Sequence, residues 1–449
     1  MKNTLSKNII ILTNIFCLIL FSNNLLLAQA GAIDPTYGNN GIFTGINYGN
    51  CYAAVLQHDD KLIMAGEGEG NGFWGFSIAR LTTDGQPDES FGTGGRVVTD
   101  FGFEVQVPFA AAMQADGKIV VAGVNYEDEN TRNNFLVARY LTDGKLDSSF
   151  AGKGWTSTNF NGDDYARSVA IQPDGKIVVA GSNTYRALVA RYNTDGSLDE
   201  SFGSSGLVIT RVNSFPIINA MALQADGKIV LAGTLSSNSN GSVVICRYLS
   251  NGSPDNLFGN NGILISDWAQ GYGEICNDMI LQSDGKILVT GSLVIIGFSY
   301  EKQAIVRYNN NGSFDNSFGE NGIAYLTKES QALRSQNISL AANGKIVTNG
   351  RYSLLGVFSS FYVSRLLENG LPDLSFGDNG FISTNIVGQL WGLSVTADDK
   401  IISTGFFTSE SSPGEPNFLA IQYNGGESSL PITYKNFTAT QKNGFIQLN

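Results

Sequence analysis

The phrase "LQADGKIVLAG", from Leu223 to Gly233, is written several times over in this chain. It returns as "MQADGKIVVAG" from Met113, "IQPDGKIVVAG" from Ile171 and "LQSDGKILVTG" from Leu281. Its turn occurs seven times, as HDDK, ADGK, PDGK, ADGK, SDGK, ANGK and ADDK. A second box recurs as "DPTYGNNG", "DESFGTGG", "DSSFAGKG", "DESFGSSG", "DNLFGNNG", "DNSFGENG" and "DLSFGDNG", opening at Asp34, Asp88, Asp147, Asp199, Asp255, Asp315 and Asp373. Successive boxes are 54, 59, 52, 56, 60 and 58 residues apart. A chain with this period folds as copies of one small unit, and a unit that small buries its apolar face only against its neighbours.

Each unit reads as four strands. Asp-Gly between apolar runs is a hairpin signal, expected as a two-residue loop with both central residues at φ > 0. It joins a strand such as "INAMALQ" to one such as "KIVLAG". A third strand, such as "NFLVARYL", alternates with period two, and the box leads into a fourth, such as "GGRVVTDF". No segment shows helical periodicity. Seven four-stranded units predict an all-β fold, a seven-bladed β-propeller, whose closed ring removes exposed sheet edges. The alternatives are a linear β-solenoid or a string of small domains. The chain opens with a box and a fourth strand, Asp34 to Ile46, and its repeats end on a third strand near Tyr423. The first strand is therefore expected to complete the last blade.

These motifs, "DxSFGxxG", "LQxDGKIVVAG" and "ARYxxDGSxD", resemble those of the delta-60 repeat family of bacterial secreted and surface proteins, over residues 34 to about 426. The resemblance implies an extracellular repeat structure and carries no catalytic residues. After Gly426, "LPITYKNFTATQKNGFIQLN" resembles the opening of a β module that precedes type IX secretion sorting domains, and its abrupt end predicts a truncated chain. The expected division is a signal peptide over 1–30, the propeller over 31–427 and the start of a C-terminal module or linker over 428–449.

The signal peptide follows from Lys2 and Lys7, the run "IIILTNIFCLILF" and the small-x-small "AQA" ending at Ala30. The protein is expected to be secreted or held on the outer cell surface, with no membrane span after cleavage. With 28 basic against 40 acidic residues, it offers no basic surface for nucleic acid. Cys51, Cys246 and Cys276 remain after cleavage, too few and too scattered for a disulfide framework or a zinc site, and read as buried apolar residues.

Within the repeats, Phe91, Phe150, Phe202, Phe258, Phe318 and Phe376, with Tyr37, are expected to wedge between blades. Arg80, Arg139, Arg191, Arg247, Arg307 and Arg365 fall on an interior face, where a guanidinium needs a partner. Box or turn aspartates are expected to supply it, with Gln422 the exception in the last blade.

Chemistry is sparse. The lone histidine, His58, sits in a hairpin turn, so no catalytic residue, metal site or cofactor is expected. The best isolated cation candidate is "NGDDY" from Asn161. The hairpin turns and boxes barely vary, whereas the other two loops of each blade vary widely and share the opposite face. Trp74, Tyr126, Trp268, Tyr272, Tyr300 and Phe358 in or beside those loops are the expected ligand-binding residues. The ligand is expected to be a polysaccharide or peptide, the partner an extracellular glycan or protein, and the propeller a monomer. The rival reading is a glycoside hydrolase or lyase using acids of the same loops, and a third is a spacer with no ligand.

Overall fold

A computed structural model describes residues 29–426, except 71, 127–131, 213, 237–240, 295–300, 329–330, 355–356 and 409–415, together with 439–442 and 445–448. Residues 1–28 of the expected signal peptide and residues 428–438, 443–444 and 449 of the tail lie outside the described residues. Among the described residues there is no helix, and so none long and apolar enough to cross a membrane.

The strands form seven antiparallel four-stranded blades in a ring. Blade 3 is typical, running through Tyr165–Ile171, Ile177–Asn183, Arg186–Tyr192 and Leu207–Arg211 in order. Blades 6 and 7 share one long strand, Phe381–Val395. Its first half pairs with Val357–Leu366 and its second half with Ile401–Thr408. The N-terminal strand, Ile42–Tyr48, pairs with Pro416–Tyr423 and supplies the fourth strand of blade 7. Asp34 N–H also donates to the Gln422 carbonyl at 2.9 Å, and Gly31 N–H to that of Asn424 at 2.6 Å. The two ends of the repeat region thus close the ring by backbone hydrogen bonds.

The core lies between blades. The second strand of blade 3, Ile177–Asn183, is buried at every residue because a neighbouring blade covers each face. Val120, Ala122, Phe135 and Val137 of blade 2 form one cluster with Ile177, Val179, Leu188 and Ala190 of blade 3. Tyrosines at the ends of third strands cross these interfaces. Tyr140 donates to Thr99 Oγ1 at 3.0 Å and Tyr308 to Ser266 Oγ at 2.8 Å, each in the preceding blade.

The box is a lock between blades. Arg139 Nε donates to Asp147 Oδ2 at 2.8 Å, and its guanidinium lies over the Phe150 ring, 4.8 Å from the centroid. Another guanidinium nitrogen donates to the Thr194 carbonyl, in the third turn of the next blade, at 2.5 Å. A Cβ on Gly196 of that turn would meet Phe150, so the ring packs where only a glycine leaves room. The same Arg–Asp bond joins Arg80 to Asp88, Arg191 to Asp199, Arg247 to Asp255, Arg307 to Asp315 and Arg365 to Asp373, all at 2.7–2.8 Å. Phe91, Phe202, Phe258, Phe318 and Phe376 lie under the corresponding arginines. In blade 7, where Gln422 stands at the arginine position, Lys400 holds Asp34 at 3.1 Å.

The hairpin turn differs from its expected form. In the Gln114–Lys118 turn only Gly117 has positive φ, +83°, while Gly117 N–H donates to Gln114 and Gln114 N–H to Lys118. A turn closed by one left-handed glycine replaces the two-residue loop. Asp116 stays in the ordinary φ range and its carboxylate accepts the Lys118 N–H at 3.2 Å. Asp60 and Asp399 occupy the glycine position in blades 1 and 7, at φ +58° and +64°.

Candidate ligand-binding channel

The first strand of every blade is broken by one β-bulge. In blade 3, Ala166 pairs with Gly181 and Ser168 with Ala180, so Arg167 has no residue opposite. The same shift leaves Tyr52, Phe109, Asn219, Asn277, Gln336 and Trp391 unpaired in the other six blades. A bulge re-aims a side chain that strict alternation would place elsewhere.

One motif residue makes the bulge possible. The glycine ending "KIVVAG" sits where the first strand crowds in: a Cβ on Gly233 would be 2.2 Å from the Ile217 carbonyl oxygen. In blades 3 and 4 the residue after it carries a hydroxyl that serves the next blade, with Thr234 Oγ1 accepting the Cys276 N–H at 2.9 Å and Ser182 Oγ that of Ile218 at 3.2 Å. Both contacts fall at the residue before a bulge or at its flank.

The seven unpaired residues meet at the centre of the ring, where with their neighbours they line a cavity of about 330 Å³. They divide into two arcs. Trp391, Tyr52 and Phe109 stand on consecutive blades, with Tyr52 6.1 Å from Trp391 and 5.5 Å from Phe109 between ring centroids. Arg167 continues this arc, its guanidinium 5.3 Å from the Phe109 centroid and 5.6 Å from that of Tyr165. The other arc is made of amides. Asn219 Nδ2 donates to the Cys276 carbonyl at 2.8 Å and Asn277 Nδ2 to that of Ser335 at 2.6 Å, which ties blades together and leaves the amide oxygens free of those bonds. Gln336 and Asn337 follow.

Two charged groups line the cavity, Arg167 and Asp278. Asp278 accepts the Met279 N–H at 2.8 Å and the Ile338 N–H at 3.0 Å. Burial pushes its carboxyl up to about 6 although those bonds pull the other way. Burial also lowers the pKa of Arg167. Among the described residues no group of three His, Cys, Asp or Glu is placed to hold a metal ion.

The aromatics expected from the variable loops are elsewhere. Trp74 is 51% exposed at the start of a third strand, and Tyr126 is half-buried at the end of a second. Trp268 corrects the expectation, being only 4% exposed. Its indole N–H donates to the Tyr308 hydroxyl at 2.6 Å, and its backbone N–H to Glu274 Oε1 at 2.9 Å. Phe101 with Gln106, and Phe160 with Asp164, repeat that backbone arrangement in other blades, so an aromatic plug pinned by an acid or amide belongs to the loop's own packing. Tyr272 packs partly buried against the same cluster as Trp268. Tyr300 lies outside the described residues. Phe358 falls in Val357–Leu366, and its side chain lies outside them. None of Trp74, Tyr126, Trp268 and Tyr272 lines the channel. At "NGDDY", Asp164 is already engaged by the Phe160 N–H and by Asn183 Nδ2. Cys51, Cys246 and Cys276 are buried free thiols.

The channel residues had a sequence signal. Each stands five positions before the residue that opens the hairpin turn, from Tyr52 before Gln57 to Trp391 before Thr396. Within an otherwise repetitive strand this position reads Tyr, Phe, Arg, Asn, Asn, Gln, Trp.

Fold and channel define a β-propeller repeat protein. Five segments, 57–91, 114–150, 172–202, 224–258 and 282–318, match the family described as "Domain of unknown function (DUF5122) beta-propeller". No curated protein matches the sequence. Among solved structures, a protein of unknown function from Dyadobacter fermentans is similar over 88% of this chain and 98% of its own, at 11% identity and a TM-score of 0.43. Polysaccharide lyase Uly1 is similar over 87% and 92%, at 11% identity and 0.47. Drosophila Semaphorin 2a is similar over 89% and 76%, at 10% identity and 0.49.

Proposed function

We propose that this protein is a non-catalytic recognition module that takes a carbohydrate in its central channel. The supporting observation is the ring of bulges. Seven equivalent backbone positions carry six different residue types, sorted into an aromatic arc and an amide arc, while the glycine opposite the bulge repeats in every blade. Aromatic faces suit the C–H faces of a sugar ring, and amide oxygens suit its hydroxyls. A volume of about 330 Å³ falls within the range of small-ligand sites. Hydrolysis by the usual pair of carboxylates needs two acids flanking one bond, and the lining holds only Asp278, whose oxygens already accept backbone N–H groups.

The test is retention of the purified protein on immobilised glycans and cell-wall fractions. Trp391→Asn and Tyr52→Asn, which install a residue other blades hold at that bulge, are expected to weaken saturable binding at least tenfold, and Trp74→Ala to leave it intact. The reverse pattern would return the site to the loop face, and release of shortened products would make the protein an enzyme.

Export belongs to the same reading, as does membership of the delta-60 kind with a tail leading to a type IX sorting module. Ala30 is buried and its carbonyl accepts the Gly377 N–H at 3.0 Å. N-terminal sequencing of the exported protein would show whether processing spares that bond.

A further inference from the structure

We propose that the channel ligand is an acidic carbohydrate, a hexuronate whose carboxylate pairs with Arg167; this rests on the channel reading above. Six other arginines of the chain are buried, and each has an aspartate at 2.7–2.8 Å. Arg167 is half-buried and, among the described residues, has no carboxylate within ion-pair distance and no side-chain hydrogen bond. Its contacts are the faces of Phe109 and Tyr165. Its N–H groups thus remain for another partner.

A guanidinium taken partly out of water without a counterion is disfavoured, and an arriving anion relieves that. Its fixed fork of donors matches a carboxylate bidentately. The lining offers no second cation, and the chain's formal net charge is -12. General attraction of anions is therefore weak, and acid recognition has to come from this one contact. The remainder of the cavity is too large for a bare inorganic anion. It sets Tyr52 and Trp391 beyond Phe109 on one side of Arg167 and the amides of Asn219 and Asn277 on the other. A six-membered ring carrying hydroxyls and one carboxylate uses all of these.

The experiment is isothermal titration of the full chain with hexuronate disaccharides and their methyl esters, which keep ring and hydroxyls and remove only the charge. The acid is expected to bind at least tenfold more tightly than the ester. Arg167→Gln should abolish that preference, so that acid and ester bind equally, with Arg167→Lys in between. Gln336 occupies the same bulge in blade 6, so the Gln variant is expected to fold, which its melting curve checks. Equal affinity for acid and ester, or a preference that survives in Arg167→Gln, overturns the inference. If Trp391→Asn then still abolishes binding, the channel reading stands alone. Absence of uronate binding alongside channel-dependent binding of a neutral glycan overturns it as well, and absence of binding by any saccharide overturns both.

Discussion

The carbonyl oxygen of Tyr165 lies 1.8 Å from the point where a Cβ on Gly181 would stand. This close approach is the local condition for the bulge that frees Arg167, and it recurs between Gly123 and Val107, Gly291 and Ile275, and Gly405 and Gln389. Gly181→Ala must push the first strand away from its partner. Because the interior is close-packed, we expect a loss of about 1–3 kcal/mol on urea unfolding, with weakened ligand binding in the surviving native state. An alanine variant as stable as the parent would mean that the strand yields freely there.

The box lock should behave as a buried ion pair. Arg139→Met and Asp147→Asn are each expected to destabilise the propeller by about 3–5 kcal/mol, and the double variant by less than the sum. Burial alone would raise the Asp147 carboxyl, but Ser149, Arg139 and Lys118 more than offset it and hold it at about 2. A depressed carboxylate contributes stability above its unfolded value of about 3.9, and loses it as pH falls through the folded value. The parent should therefore lose this contribution between about pH 4 and 2, and Asp147→Asn should flatten the fall in melting temperature over that window.

Asp60 holds the left-handed position that glycine fills in most other hairpin turns, at φ +58°. Its side chain is exposed and only the backbone geometry is at stake. Asp60→Gly is expected to stabilise the protein by about 0.5–1 kcal/mol, since glycine adopts this conformation without strain. Gly117→Ala should do the opposite. Paired melting curves check both signs.

Glu274 is buried beside Asp267. Burial pushes its carboxyl up to about 7, the Trp268 and Ala269 amides pull it down, and Asp267 pushes it up again. A raised carboxyl favours the protonated folded state between its unfolded value, about 4.3, and 7, so stability falls as pH rises through that window and the full penalty is present above it. Glu274→Gln copies Gln106, which serves Phe101 in the same way, and keeps an oxygen for both amides. It should gain on the order of 1–2 kcal/mol at pH 8, gain little at pH 4, and remove the slope between. A slope that persists in the variant would assign it to another group.

The repeat period and the four strands per unit were legible in the sequence because each is written seven times, which averages away the ambiguity of a single short strand, and ring closure was legible from the offset between an opening fourth strand and a final third strand. Box residues such as Arg139, Asp147 and Phe150 were legible as interior for the same reason. The binding residues were harder. Trp268 reads as a surface aromatic from its polar loop, yet the fold turns it inward to meet Tyr308. Trp391, Tyr52, Phe109 and Arg167 are far apart in the chain and read as ordinary members of first strands.

What the sequence by itself determined is therefore most of what repeats: the position of each turn, strand alternation, and the arginine, aspartate and phenylalanine of six boxes. Those rest on local spacing and on contacts identical from blade to blade. Only the tertiary structure decided which residue of each first strand faces the centre. That depends on a bulge made where a glycine of the adjacent strand lets the backbone crowd in. Ring closure then brings seven side chains, about one repeat apart in the chain, to one cavity.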